Sequence, residues 1–291
     1  MVVYIKLFFT AVLWGGTFIA ARVVAQDVGP FSAAFLRFAI ASVFLLVILR
    51  HVEGRLPRLT TRQWIAVILL GMTGAFAYNF FFFSGLKTIT ASRASLIVAT
   101  NPVLIALLAS FFFKERLRVI NFVGVILCAT GAMIVISRGD PTVIFRGGLG
   151  AGEMNILGCV ASWVAYSLIG KVAMKNMSPL AAVTYSCIVG ALALLYPAFC
   201  EGMSLEITRY TAIEWFGIFY LGFFGSVLGF TWYYQGIQAI GASRAGVFIN
   251  FVPVSAVIMA FFILHEALDA SIVAGAALVV GGAYLTNRRN I

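Results

Sequence analysis

The tetrapeptide Ala91-Ser92-Arg93-Ala94 returns as Ala242-Ser243-Arg244-Ala245, 151 positions later, in a chain with few polar breaks. The same offset joins Trp64 to Trp215, Gly71 to Gly222, Gly85 to Gly236, Pro102 to Pro253, Glu115 to Glu266, Gly124 to Gly275 and Gly131 to Gly282. Upstream the offset becomes 149, pairing Trp14 with Trp163 and Pro30 with Pro179, so the two halves differ by a short indel in the loop near residues 51–63. Glycines, prolines and charges that align in this way mark one unit written twice. The units are residues 1–138 and 153–291, joined by a linker over 139–152 that holds Pro141, Gly147, Gly148, Gly150 and Gly152. A doubled apolar unit is an architecture in which transporters place a site at the seam between repeats.

Hydrophobic residues make up 62% of the chain and charged ones 10%, and the mean hydropathy is +1.04. Soluble domains are nearer to half apolar, so the expected solvent is the lipid bilayer. A helix needs about 20 apolar residues to cross the hydrocarbon. Ten runs qualify, near 4–24, 31–49, 64–86, 92–113, 119–136, 154–172, 179–199, 213–235, 243–264 and 271–286. They are continuous and too long for the alternating strands of a membrane barrel. The expected fold is an all-α integral membrane protein with ten transmembrane helices in two five-helix repeats. An odd number of spans per repeat inverts the second relative to the first.

The net charge of +10 has to be divided among the loops, which excludes a nucleic-acid reading. If the spans alternate, Lys6, Arg50, Arg55, Arg58, Arg62, Lys114, Arg116, Arg118, Lys171, Lys175, Arg288 and Arg289 fall on one side. On the other side Arg22, Lys87, Arg93, Arg138, Arg146 and Arg209 are diluted by seven acids, among them Asp27, Glu201 and Glu266. Retention of Lys and Arg in the cytoplasm puts both termini there, in a bacterial inner membrane. The first span could pass for a signal peptide, but Trp14 has its counterpart in mid-chain Trp163, so the span belongs to the folded unit. Cys128, Cys159, Cys187 and Cys200 have no metal-site or redox spacing and read as packing residues. No cofactor or metal is expected.

Within the spans, Gly124 and Gly131 match Gly275 and Gly282, seven residues apart on one helix face, which predicts close packing of the fifth and tenth spans at the back of the bundle. Pro102 and Pro253 interrupt the fourth and ninth spans and are the expected hinges. Asn101 and Asn250 set amides beside them at membrane depth, where an amide needs a partner. Aromatic and hydroxyl groups converge in the first, third, sixth and eighth spans: Trp14, Thr17, Tyr78, Asn79, Trp163, Tyr166, Ser167 and Trp232. With Asn101 and Asn250 these are the candidate substrate contacts, since rings and a few polar groups suit a zwitterion with an apolar side chain.

Tyr4, Trp64, Trp215 and Tyr234 read as interfacial belt residues. Arg22, Arg37 and Lys171 lie close enough to span ends to snorkel. No Asp or Glu falls in mid-span, so coupling either uses the end groups Glu153, His265 and Glu266 or is absent. Ser92 and Ser243 read as N-caps, and Glu115 and Glu266 as loop tethers. Arg93 and Arg244 oppose the helix dipole and need another partner, such as a neighbouring helix end.

The run Leu13-Trp14-Gly15-Gly16-Thr17, then Pro30, Leu36-Arg37-Phe38, Ala91 to Ala94, Asn101-Pro102, Glu115-Arg116-Leu117 and Gly124 to Gly131 resembles the EamA repeat of the drug/metabolite transporter superfamily. The second half matches through Trp163, Pro179, Gly236, Ala242 to Ala245, Pro253, Glu266 and Gly282, but carries Ser186, His265 and Val252 where the first has Arg37, Lys114 and Asn101. The resemblance implies a cavity formed by the first, third, fourth, sixth, eighth and ninth helices, and the aromatic content is similar to that of the YddG-type aromatic-amino-acid exporters. The expected function is export of neutral amino acids, aromatic and other apolar ones, by alternating access through a central cavity, as a uniporter. The partners are a small-molecule substrate, amino acids or similar metabolites, and the lipid bilayer, with a monomeric chain as the working expectation. The alternatives are a proton-coupled exporter of drugs or other metabolites, and an intramembrane transferase. A nucleotide-sugar exporter would want deep Lys or Arg, and none is expected at the midplane.

Overall fold

The computed structural model describes residues 1–113, 119–140, 150–174, 177–240, 245 and 248–287. They form ten apolar helices and, among the described residues, no strand. In lipid every backbone polar group must be paired inside the chain, which a helix does within itself. The helices are α1 (Val2–Asp27), α2 (Pro30–Glu53), α3 (Thr61–Leu86), α4 (Ala91–Phe112), α5 (Val119–Ile136), α6 (Ala151–Ala173), α7 (Pro179–Cys200), α8 (Ala212–Gly236), α9 (Phe251–Leu264) and α10 (Ala270–Asn287). The first eight are long and apolar enough to cross a membrane, while α9 and α10 are shorter apolar helices. Residues 241–244, and with them the second Ala-Ser-Arg copy, lie outside the described residues, as do Lys114, Glu115, Arg116, Arg288 and Arg289.

The helix starts follow local chemistry. Pro30 and Pro179 occupy first-turn positions of α2 and α7, where a missing N–H costs nothing. Thr60 caps α3 and Thr211 caps α8, each in a capping box with Gln63 or Glu214. At α4 the cap is Thr90, which accepts from the Arg93 N–H, rather than the expected Ser92. Ser92 instead donates its hydroxyl to Glu266 at 2.7 Å.

Packing runs mainly between the halves: α1 against α8 and α9, α2 against α7 and α8, α3 against α6 and α7, and α5 against α10. The contacts are exchanged between related positions. A Cβ on Gly71 would meet the Ser186 carbonyl at 2.9 Å, and one on Gly222 would meet the Arg37 carbonyl at 2.8 Å. Likewise Gly85 faces Ile156 and Gly236 faces Leu7, both at 2.5 Å. The 149 and 151 offsets convert each member of these pairs into the other. The main apolar core lies at this seam, gathering Phe18, Leu45, Phe82, Ile156 and Leu221. The first helix is thus packed into the unit, as expected.

The glycine stripe of α5 and α10 makes the closest backbone approach. A Cβ on Gly282 would stand 2.5 Å from the Cys128 nitrogen and 2.6 Å from the Gly124 carbonyl, and Asn121 donates across the pair to the Thr286 carbonyl at 2.7 Å. Replacing Gly282 by Val should separate the helices and cost about 1–3 kcal/mol, read as a lower unfolding temperature in detergent, while Gly281→Ala, with open space around it, should leave that temperature unchanged.

Candidate functional site

Two helices depart from α geometry at matching places. Gly71–Ala77 in α3 and Tyr220–Leu228 in α8 are π-helical, and the 151 offset superposes them. A π segment displaces carbonyls from their i+4 donors and recurs at functional sites. Side chains take over those carbonyls here. Asn79 Nδ2 donates to the Gly74 and Ala75 carbonyls at 3.1 and 3.0 Å, Ser226 donates to Leu221 at 3.1 Å, and the Trp14 indole N–H reaches the Gly225 carbonyl at 2.9 Å.

Arg37 joins the two segments. Its Nη1 donates to Asn79 Oδ1 at 2.8 Å and its Nε to Ser226 Oγ at 3.3 Å, while its guanidinium carbon lies 5.3 Å from the centre of the Phe38 ring. Arg37 is 8% exposed, so the expectation that it snorkels, and that the interior holds no deep cation, is corrected. The cause is its helix face. Ala33 and Ala41, one turn to either side, are fully buried, and such small residues bring neighbouring helices close enough to enclose the guanidinium. That spacing was the legible sign. An unpaired cation in hydrocarbon costs several kcal/mol, and hydrogen bonds to neutral acceptors offset part of it.

Beside this tether runs a chain of rings shared by both halves. Tyr78 of α3 packs on Phe82 and, with centroids 5.2 Å apart, on Trp163 of α6. Trp163 stacks on Tyr166 at 5.2 Å and lies 6.5 Å from Phe230 of α8. Phe230 packs at 5.6 Å on Trp14 of α1, which also meets Tyr233 at 5.3 Å. Tyr234 extends the series from Phe230, which corrects its reading as a belt residue. The exposed Tyr4, Trp64 and Trp215 agree with that reading.

Of the candidate contacts, the structure brings Trp14, Tyr78, Trp163 and Tyr166 together. Trp232 is half-buried and stands outside the ring chain, whose α8 members are Phe230, Tyr233 and Tyr234. Thr17 and Ser167 direct their hydroxyls to the Trp14 and Trp163 carbonyls within their own helices. Asn79 is 1% exposed and bonded to Arg37 and its own backbone, so it supports the site from behind. Asn101 and Asn250 are 5% and 8% exposed. Asn101 Oδ1, both amide atoms of Asn250 and the Thr231 hydroxyl have no hydrogen-bond partner. Helix α4 is broken at Ala99 and Thr100, just ahead of Asn101 and Pro102, and Pro253 falls in the first turn of α9. Phe230 was not anticipated, because a Phe among many in a greasy span carries no distinguishing pattern.

Acidic groups gather at helix ends. Glu266, just beyond α9, accepts from the Ala91 N–H at 2.7 Å and the Ser92 N–H at 3.0 Å. Glu201, beyond α7, accepts from Phe31 and Ser32 at the start of α2. Glu53, the last residue of α2, accepts from the Ser178 hydroxyl at the start of α7. Carboxylates placed there satisfy free N–H groups and the positive end of the helix dipole. Arg93 donates to the Val135 carbonyl at the end of α5 and lies 3.9 Å from Glu153, so a neighbouring helix end is indeed its partner. An open recess of about 380 Å³ adjoins the Glu266 clamp, lined in part by Arg22, Gln26, Asp27 and Thr90.

The EamA-like transporter family profile matches residues 1–137 and 150–288. The chain belongs to the EamA-like transporter family. It is 31% identical over 96% of its length, and 92% of the relative's, to a Bacillus subtilis protein named "Uncharacterized transporter YyaM". It is 27% identical over 98% of its length, and 93% of the relative's, to a Streptantibioticus cattleyicolor protein named "Probable terminal-alkyne amino-acid exporter". A solved crystal structure covers 96% of both chains at a TM-score of 0.65 and 22% identity, a likeness of fold alone. The chain is therefore a multi-pass membrane transporter, with a small-molecule substrate and a bilayer as its surroundings.

The Arg37 tether gives a direct test. Arg37→Leu should leave Asn79 Oδ1 unpaired, take from Ser226 Oγ the donor that adds to its own bond to Leu221, and lower unfolding stability by about 1–3 kcal/mol. In a double-mutant cycle with Asn79→Leu the two losses should fall short of additivity, whereas additive losses would mean that the pair is not coupled.

Proposed function

We propose that this transporter exports neutral amino acids, aromatic and other apolar ones, across the bacterial inner membrane, with both termini cytoplasmic. It works by alternating access between two inverted halves around a central cavity, and it needs no ion gradient. The observation that carries the reading is the ring chain from Tyr78 through Trp163 and Phe230 to Trp14, which crosses from one half to the other and meets the amide-bearing helix α4 along α6. Aromatic faces at a seam receive an apolar side chain, and the unpartnered amides of Asn101 and Asn250 receive a polar head. The exchanged glycine contacts support inversion, since each is converted into the other by the sequence offsets.

The name of the Streptantibioticus relative, "Probable terminal-alkyne amino-acid exporter", supports an amino acid as the substrate. Downhill flux is favoured because Glu266 and Glu201 are spent on helix N-termini and Glu153 faces Arg93 and Arg138. The task is passage rather than bond chemistry, and one chain contains both halves of the pathway.

The test is uptake of radiolabelled phenylalanine into proteoliposomes without an imposed gradient. The parent should show saturable uptake, and Trp163→Ala should reduce it at least tenfold while eluting as a folded species. Absence of uptake above protein-free vesicles from folded parent protein would overturn the reading.

A further inference from the structure

The break in α4 is a concentration of acceptors. Pro102 has no N–H, so the Val98 carbonyl lacks the donor that a continuous helix would supply. The Val103 and Leu104 N–H groups both turn to the Thr100 carbonyl, at 3.1 and 3.2 Å, so Ala99 loses its usual donor as well. Thr100 closes on Ile97 with both its N–H and its hydroxyl. Next to these carbonyls, Asn101 Oδ1 is buried without a partner.

The orientation of Asn101 follows from its neighbours. Val103 packs with Cys128 and Val279 of the α5–α10 pair, and two residues on a helix are about 200° apart. Asn101 therefore lies on the opposite side, on the same face as Ile105 one turn on, which packs into the core between the halves. Both parts of α4 pack against α6, the helix of Trp163. The half-helix Ala91–Val98 also ends here, and a helix C-terminus carries partial negative charge.

We propose that this break is the subsite for the substrate's primary ammonium group, held by the Val98 and Ala99 carbonyls and Asn101 Oδ1. The three acceptors match the three N–H groups of an alkylammonium. No carboxylate is needed, which fits spans whose acids are held at helix ends. The proposal rests on the amino-acid reading and gives it a rule: the amine is the recognised part of the head group.

The experiment measures competition against radiolabelled phenylalanine flux in proteoliposomes. Phenethylamine, which keeps the ammonium and lacks the carboxylate, should compete in the parent, and 3-phenylpropanoate, which lacks the ammonium, should compete far more weakly. Pro102→Ala restores an N–H for Val98 and favours helix, so it should fold. It should weaken both phenylalanine and phenethylamine about tenfold while leaving the weak competition by 3-phenylpropanoate unchanged. Asn101→Leu should do the same, and Asn101→Asp, which keeps the acceptors, should retain amine binding. Exchange of sodium for choline should leave flux unaltered.

Equal competition by 3-phenylpropanoate and phenylalanine in the parent would overturn the subsite and leave the transport reading standing. So would unaltered amine competition in both Pro102→Ala and Asn101→Leu, or a sodium requirement abolished by either. A parent protein that carries no phenylalanine would overturn both.

Discussion

A hydrocarbon solvent offers no hydrogen bonds, and the rest of this structure is organised around that constraint. A continuous helix meets it unaided, so every irregularity needs a side chain to take up what the backbone releases. The π segments of α3 and α8 release carbonyls, and Asn79, Ser226 and Trp14 accept the duty of pairing them. Arg37 then bonds to two of those three side chains. The deep cation is therefore the keystone of a polar network whose purpose is to hold two non-α segments in place across the seam. The ring chain beside it inherits its geometry, because Tyr78 adjoins Asn79 and Trp14 is fixed through its indole N–H.

The same logic separates the two kinds of buried amide. Asn79 is saturated, and nothing about it invites a ligand. Asn101 and Asn250 have groups unsatisfied at similar burial, and a lipid-embedded chain would lose stability by retaining them for packing alone. Both adjoin helix ends near a proline, where the backbone is already incomplete. An unsatisfied polar group beside an incomplete backbone is the arrangement by which transporters receive substrates at mid-membrane.

Much of the fold was legible because its signals are long or duplicated. Apolar runs gave the helices, and the paired glycines of α5 and α10 correctly marked a tight pair. Of the candidate site, most of the rings and the buried amides Asn79, Asn101 and Asn250 were legible, but not which of them pack together. Periodicity cannot rank rings within a greasy span, so it gives no sign of Phe230, sets Tyr234 in the interfacial belt and favours Trp232. Arg37 misled for a different reason: its distance from the helix start permits snorkelling, and only the small residues at Ala33 and Ala41 reveal that the face is closed. Thr90 displaced Ser92 as cap because the Ser92 hydroxyl and N–H both go to Glu266, and that distant residue left no local sequence sign.

The positions of the acids bear on energetics. Glu266 and Glu201 each lie just beyond a second-half helix and close the N-terminus of a first-half helix, and Glu53 makes the reciprocal contact. A carboxylate in such a clamp stabilises the contact through its charge-assisted hydrogen bonds and its attraction to the helix dipole. Relative movement of the halves would have to open some clamps and keep others, so the clamps set which movements are cheap. On the proposed reading, Glu266, Glu201 and Glu53 would act on the balance between conformations rather than on the substrate, which would leave recognition to the rings and the neutral oxygens of the broken helix.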